Sequence, residues 1–65
     1  MKEIIAKNIS DMVKLSKIKV IDIAEKIGID KSMLYDYMKG EHMPNLITFR
    51  KLCKILDCSY EDILG

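Results

Sequence analysis

Few side chains in this 65-residue chain could do covalent or metal chemistry. Cys53 and Cys58 are separated by four residues, and His42 is the single histidine. That spacing is not Cys-x-x-Cys, and no second cluster of His or Cys accompanies it. A structural metal site takes about four such ligands, so no metal is expected. Both cysteines read as small buried hydrophobes. Ser10, Ser16, Ser32 and Ser59 have only His42 to serve as a base, and no Gly-rich phosphate loop occurs. Enzymatic turnover, a cofactor and a small-molecule ligand are therefore not expected. A denser set of polar groups lies in one stretch: Lys31, Ser32, Tyr35, Asp36 and Lys39, with Met33 among them. Lysine donates, serine donates or accepts, and aspartate accepts. Such a set suits recognition better than catalysis.

These residues need an element to hold them, and helical periodicity supplies it. Ile5, Ile9, Met12 and Val13 fall on one face, which predicts a helix over about 3–16. Val20, Ile23, Ala24 and Ile27 predict a second, over about 20–27, stopped by Gly28. Asp30 is a suitable N-cap for a third helix, about 31–39, with Leu34, Tyr37 and Met38 inward and Gly40 at its end. Glu41–Pro44 is a loop. Asn45 caps a fourth helix, about 46–57, whose stripe is Phe49, Leu52, Cys53 and Leu56. Ser59 caps a last one, about 60–64, with Ile63 and Leu64 turned inward. Strand alternation is nowhere sustained. The expected fold class is all-α, five short helices in a single domain over 1–65.

Size and composition set the limits. A chain this short buries only about 60% of its unfolded surface, so it has no room for a large catalytic cleft. It is 49% hydrophobic and 32% charged, a globular mixture, with one Pro and three Gly. No apolar run approaches the ~20 residues that span a bilayer, and the first residues lack a secretion signal. No membrane partner and a cytoplasmic location are therefore expected. Eleven basic residues face ten acidic ones, for a net charge of +1. Residues 1–32 carry +2 and residues 33–65 carry −1. That balance neither advertises nor excludes a nucleic-acid partner.

The predicted helices over 20–27 and 31–39 meet at a tight glycine turn, the form of a helix-turn-helix. Ala24 is small enough to let the two cross closely, while Ile23, Ile27 and Leu34 bury the corner. The outer side of 31–39 would fit a B-DNA major groove about 12 Å wide. At this point the chain resembles the lambda-type phage repressor and Cro family, the XRE-type helix-turn-helix. The resemblance runs over about 5–64. It is carried by Ile23-Ala24-Glu25-Lys26-Ile27-Gly28-Ile29, Lys31-Ser32-Met33-Leu34, Gly40, Pro44, Thr48-Phe49, Leu52-Cys53, Leu56, Cys58-Ser59 and Ile63-Leu64.

The resemblance implies a sequence-specific regulator of the repressor type, binding double-stranded DNA at a palindromic operator as a homodimer. Carried over residue by residue, the base-reading positions are Lys31, Ser32, Tyr35 and Asp36, with Met33 available to a thymine methyl. Lys17, Lys19, the helix start at Val20, Lys39, His42 and Asn45 would face phosphates. His42 also reads as an ordinary loop residue. Ile47, Tyr60 and Ile63 would form the dimer surface. Two departures stand out. Val20 occupies a position where members often carry Gln. Val13 and Met38 replace an Arg–Glu ion pair, and losing both charges together implies that these two side chains pack against each other. Val20, Asp36 and the low net charge keep a second reading open: an interaction module or antitoxin-like protein with weak DNA reading.

Overall fold

The computed structural model describes residues 2–65, which form five helices: α1 (Lys2–Ser16), α2 (Val20–Ile27), α3 (Lys31–Lys39), α4 (Leu46–Leu56) and α5 (Tyr60–Leu64). The fourth helix ends one residue before the predicted boundary. Asp57 there takes the left-handed conformation at φ 54°, a region that Asp enters more readily than most residues.

Three helices in succession end in the same way. Past α2, the Ile29 amide donates to the Ala24 carbonyl at 3.0 Å and Gly28 donates to Glu25 at 3.3 Å. Past α3, Glu41 donates to Asp36 at 2.9 Å and Gly40 to Tyr37 at 3.3 Å. Past α4, Cys58 donates to Cys53 at 3.0 Å and Asp57 to Lys54 at 3.3 Å. Each is a Schellman termination, which satisfies the last carbonyls and reverses the chain within two residues. The motif brings its two flanking residues together, which explains the spacing of Cys53 and Cys58. They are free thiols, Cys53 buried and Cys58 half-buried. Burial comes first, and the neighbouring Cys58 second, in pushing the Cys53 thiol up to about 11. It stays protonated and inert, a packing residue as expected.

One apolar core joins all five helices. Ile9, Ile23, Leu34, Leu52 and Ile63 are sealed from solvent, surrounded by Ile5, Val13, Ala24, Ile27, Tyr37, Cys53 and Leu56. No described polar or charged side chain is buried. Val13 lies in that core and Met38 packs against it, in the same apolar cluster. A side-chain hydrogen bond ties the ends of the chain together: Asn8 Nδ2 donates to the Ile63 carbonyl at 2.8 Å.

Two expectations for α5 are corrected. Ile63 has no exposed surface, so it belongs to the protomer's own core and is not available to a dimer partner. Leu64, predicted to turn inward, is 45% exposed. In a helix of five residues, α1 covers only one line of side chains, and Ile63 occupies it. Among the described residues no helix is long and apolar enough to cross a membrane, and no group of His, Cys, Asp or Glu could hold a metal ion.

Candidate nucleic-acid interface

The outer side of α3 depends on the turn before it. Gly28 sits at φ +80°, and a Cβ there would meet nothing within 4 Å. Its requirement is therefore conformational rather than spatial. Ile23, Ala24, Ile27 and Leu34 close the corner from inside, all buried. At the other end of α3, Gly40 lies at φ +82°, and a Cβ would stand 3.4 Å from the Ala6 Cβ. The end of α3 thus presses against α1 and is fixed at both ends.

What α3 leaves outward matches most of the predicted set. Lys31, Ser32, Tyr35 and Lys39 are exposed. Met33 is half-buried and packs against the core, so only part of it reaches the outer side. Asp36 is also half-buried, and its carboxylate is occupied: His42 Nδ1 lies 3.2 Å from Oδ2. An ionised carboxylate only accepts, so the imidazole donates. The Asp36 carbonyl also takes the Glu41 amide at 2.9 Å and the His42 amide at 3.4 Å. Sequence reading placed Asp36 among the base contacts and His42 among the phosphate contacts. The fold joins them into one unit, which holds the loop after α3 against that helix. The i, i+6 spacing carried no recognisable periodic signal, because a Schellman turn creates the contact.

The predicted phosphate-facing residues gather around the helix ends. Lys17, Lys19, Lys39, His42 and Asn45 are exposed and Val20 is half-buried. Lys17 occupies the left-handed region at φ 60°. Lys19 is the N-cap of α2 and Asp30 that of α3, and neither side chain caps its helix. Asp30 thus holds the predicted position without the predicted bond. The first-turn amides of α2, and those of Lys31 and Ser32 in α3, keep their donor capacity and the positive dipole end, while the Met33 amide donates to the Asp30 carbonyl at 3.0 Å. By contrast Asn45 Oδ1 accepts from the Thr48 amide at 2.8 Å, capping α4. Its side-chain NH₂ remains free to donate. Ser59 and Asp62 close α5 with a reciprocal capping box at 3.2 and 2.9 Å.

A short helix, a glycine turn and a second helix held by its inner face define a helix-turn-helix protein. Residues 9–63 match the profile of the Helix-turn-helix family. The chain belongs to that family, of the Cro/C1 or XRE type, and it is a DNA-binding transcription regulator in the general sense that membership carries. Its class binds double-stranded DNA and is not typically enzymatic. Neither the curated proteins nor the solved structures gave a match.

Proposed function

We propose that the protein is a sequence-specific repressor-type regulator that reads operator DNA through the outer side of α3. The supporting observation is that this side is unobstructed, with Lys31, Ser32, Tyr35 and Lys39 exposed. Lys31 donates to guanine O6 and N7, and Ser32 donates or accepts, the pairings that base edges require. Lys17 and Lys19 before α2, and Lys39 at the end of α3, are cations that make no ion pair with any described residue. Together with the uncapped amides of α2 they neutralise and bond backbone phosphates. Asp36, the one acid on this helix, has its carboxylate hydrogen-bonded by His42 at 3.2 Å rather than turned freely to the DNA.

A body 26 × 22 × 21 Å offers one recognition helix. Two-fold pairing places two such helices about 34 Å apart, one turn of DNA. The surface for that pairing lies on α4 and α5, where Ile47 is 67% exposed and Tyr60 46% exposed. They border an open groove of about 560 Å³ that also includes Arg50 and Asp57. Basic residues on α4 and acids Asp57 and Glu61 flank this apolar centre, so the patch is complementary to a rotated copy of itself. Tyr60 is braced for the role, its ring centroid 5.3 Å from that of Phe49.

The experiment is a fluorescence titration against the DNA flanking the protein's own gene, across a salt series, followed by footprinting. A protected pair of half-sites and a steep salt slope are expected. Equal affinity for unrelated DNA, or no dependence on salt, counts against the proposal and favours the interaction-module reading.

A further inference from the structure

Seven of the eleven basic residues make no proposed contact with DNA, and four of these lie on α2 and α4. Lys26 lies near the end of α2, and Arg50, Lys51 and Lys54 follow one another along the outer side of α4; all four are exposed. None forms an ion pair with a described residue, whereas Lys7 on α1 holds Asp11 at 2.8 Å. Lys26, Lys51 and Lys54 rim a groove of about 360 Å³ between α2 and α4, whose floor is Ile27 and Ile55.

Lys26 and Lys54 stand in the last turns of their helices, where a cation complements the dipole. That accounts for each of them singly. It does not account for Lys51, for the gathering of three like charges around one groove, or for the apolar floor. Like charges on neighbouring helix positions cost a few tenths of a kcal/mol. An anionic occupant would remove that cost. The position argues against DNA as the occupant. The proposed phosphate contacts use the N-terminal ends of α2 and α4. Lys26 is about 9 Å along its helix from Val20, and Lys54 about 12 Å from Leu46, at 1.5 Å per residue. A phosphate chain also gains nothing from Ile27 and Ile55. A peptide carrying both carboxylates and apolar side chains satisfies every feature of the groove.

We propose that the α2–α4 groove docks an acidic amphipathic segment of a partner protein, an apolar side chain entering between Ile27 and Ile55 and carboxylates meeting Lys26, Lys51 and Lys54. This surface lies apart from the outer side of α3, so partner and DNA bind one protomer at once, while Lys51 and Lys54 also border the α4–α5 groove.

The test uses the full chain, isotope-labelled for NMR, and a helical peptide with Leu at i and i+4 flanked by Glu as probe. The expected result is a set of shift changes centred on Lys26, Ile27, Lys51, Lys54 and Ile55. Lys26→Glu, at the rim position outside the α4–α5 groove, lowers peptide affinity about threefold, while the salt slope of DNA binding is unchanged. Replacing the peptide's Leu by Ser abolishes the effect. Each of four results overturns the proposal: no shifts at about 1 mM peptide, shifts centred on Lys17, Lys19 and Lys39, groove shifts produced by DNA, or shifts at Lys26, Ile27 and Ile55 on concentrating the protein alone. The last two would assign the groove to DNA and to a second copy of the chain.

Discussion

Replacing Lys17 by glycine separates the stability of this fold from its DNA binding. Lys17 holds φ 60°, one of two non-glycine residues in the left-handed region among the described residues. A side chain there costs about 1–2 kcal/mol. Glycine removes that cost but gives the unfolded chain extra freedom worth about 0.4–1 kcal/mol. The net gain is about 0.5 kcal/mol, which in a domain this small raises Tm by about 2–4 °C. The same change deletes a proposed phosphate contact. Each contact contributes about 0.9 to the slope of log K against log salt, so at 0.1 M salt the loss is about eightfold per protomer. Thermal melts and anisotropy titrations at four salt concentrations read both quantities. Lys26→Gln, near the end of α2, removes an equal charge as the control. The two readouts should move in opposite directions in Lys17→Gly. A wild-type salt slope in that variant would falsify the assignment of Lys17 to the phosphates, and a fall in Tm would refute the argument from its backbone.

Further expectations concern the turn, the pair on α3, the dimer and the thiols. Gly28→Ala should cost about 1–2 kcal/mol from its backbone alone, Gly28→Asn less, and Gly40→Ala more, because its Cβ also crowds Ala6 at 3.4 Å; urea melts rank them, and another order rejects this account. Asp36→Asn should strengthen binding to unrelated DNA about threefold, the Coulomb energy of one charge some 7 Å from a phosphate in water, and an unchanged affinity would show that the carboxylate lies away from the backbone. Ile47→Asp should leave the melt within about 0.5 kcal/mol of wild type yet weaken self-association in sedimentation, while Ile63→Ala should cost about 2–5 kcal/mol; comparable loss of stability in both places Ile47 in the fold instead. Alkylation of Cys53 followed by mass spectrometry should be slow at pH 8 and rise until about pH 11. The folded chain holds that proton more tightly than the unfolded one, so stability should also decline as pH rises from 9 toward about 11. Rapid alkylation at pH 8 contradicts the burial of this thiol.

How much of this was legible beforehand follows from what periodicity encodes. A helix of eight or more residues repeats its apolar face at least twice, and Ile23, Ala24 and Ile27 define the inward side of α2 without ambiguity. The glycines at 28 and 40 mark the stops because few other residues enter the left-handed region. Boundaries and facing were therefore readable for α1 to α4, and so was the exposed side of α3. What was not readable arises wherever a contact is made by the turn rather than by the repeat. Asp36 meets His42 through the chain reversal after α3, at a spacing that no helical face predicts. Asp30 has the right side chain and backbone for a cap, yet the bond is unmade.

The two errors in α5 have a deeper cause, and it bears on where a partner docks. Five residues make little more than one turn, so Tyr60, Ile63 and Leu64 all fall within reach of an inward face on spacing alone. Which of them is inward depends on the direction from which α1 approaches, a tertiary fact. Asn8 fixes it by binding the Ile63 carbonyl, which draws that residue into the core and leaves Tyr60 and Leu64 outside. Of the three residues in the proposed dimer surface, Ile47 on α4 and Tyr60 on α5 remain exposed and Ile63 is lost to the core. A small interface is a weak one when rotational and translational freedom must be overcome. Two protomers that associate weakly when free would pair more firmly when adjacent half-sites hold them at high local concentration. Self-association should therefore rise on operator DNA of correct spacing and fall when five base pairs, about half a helical turn, are inserted between the half-sites.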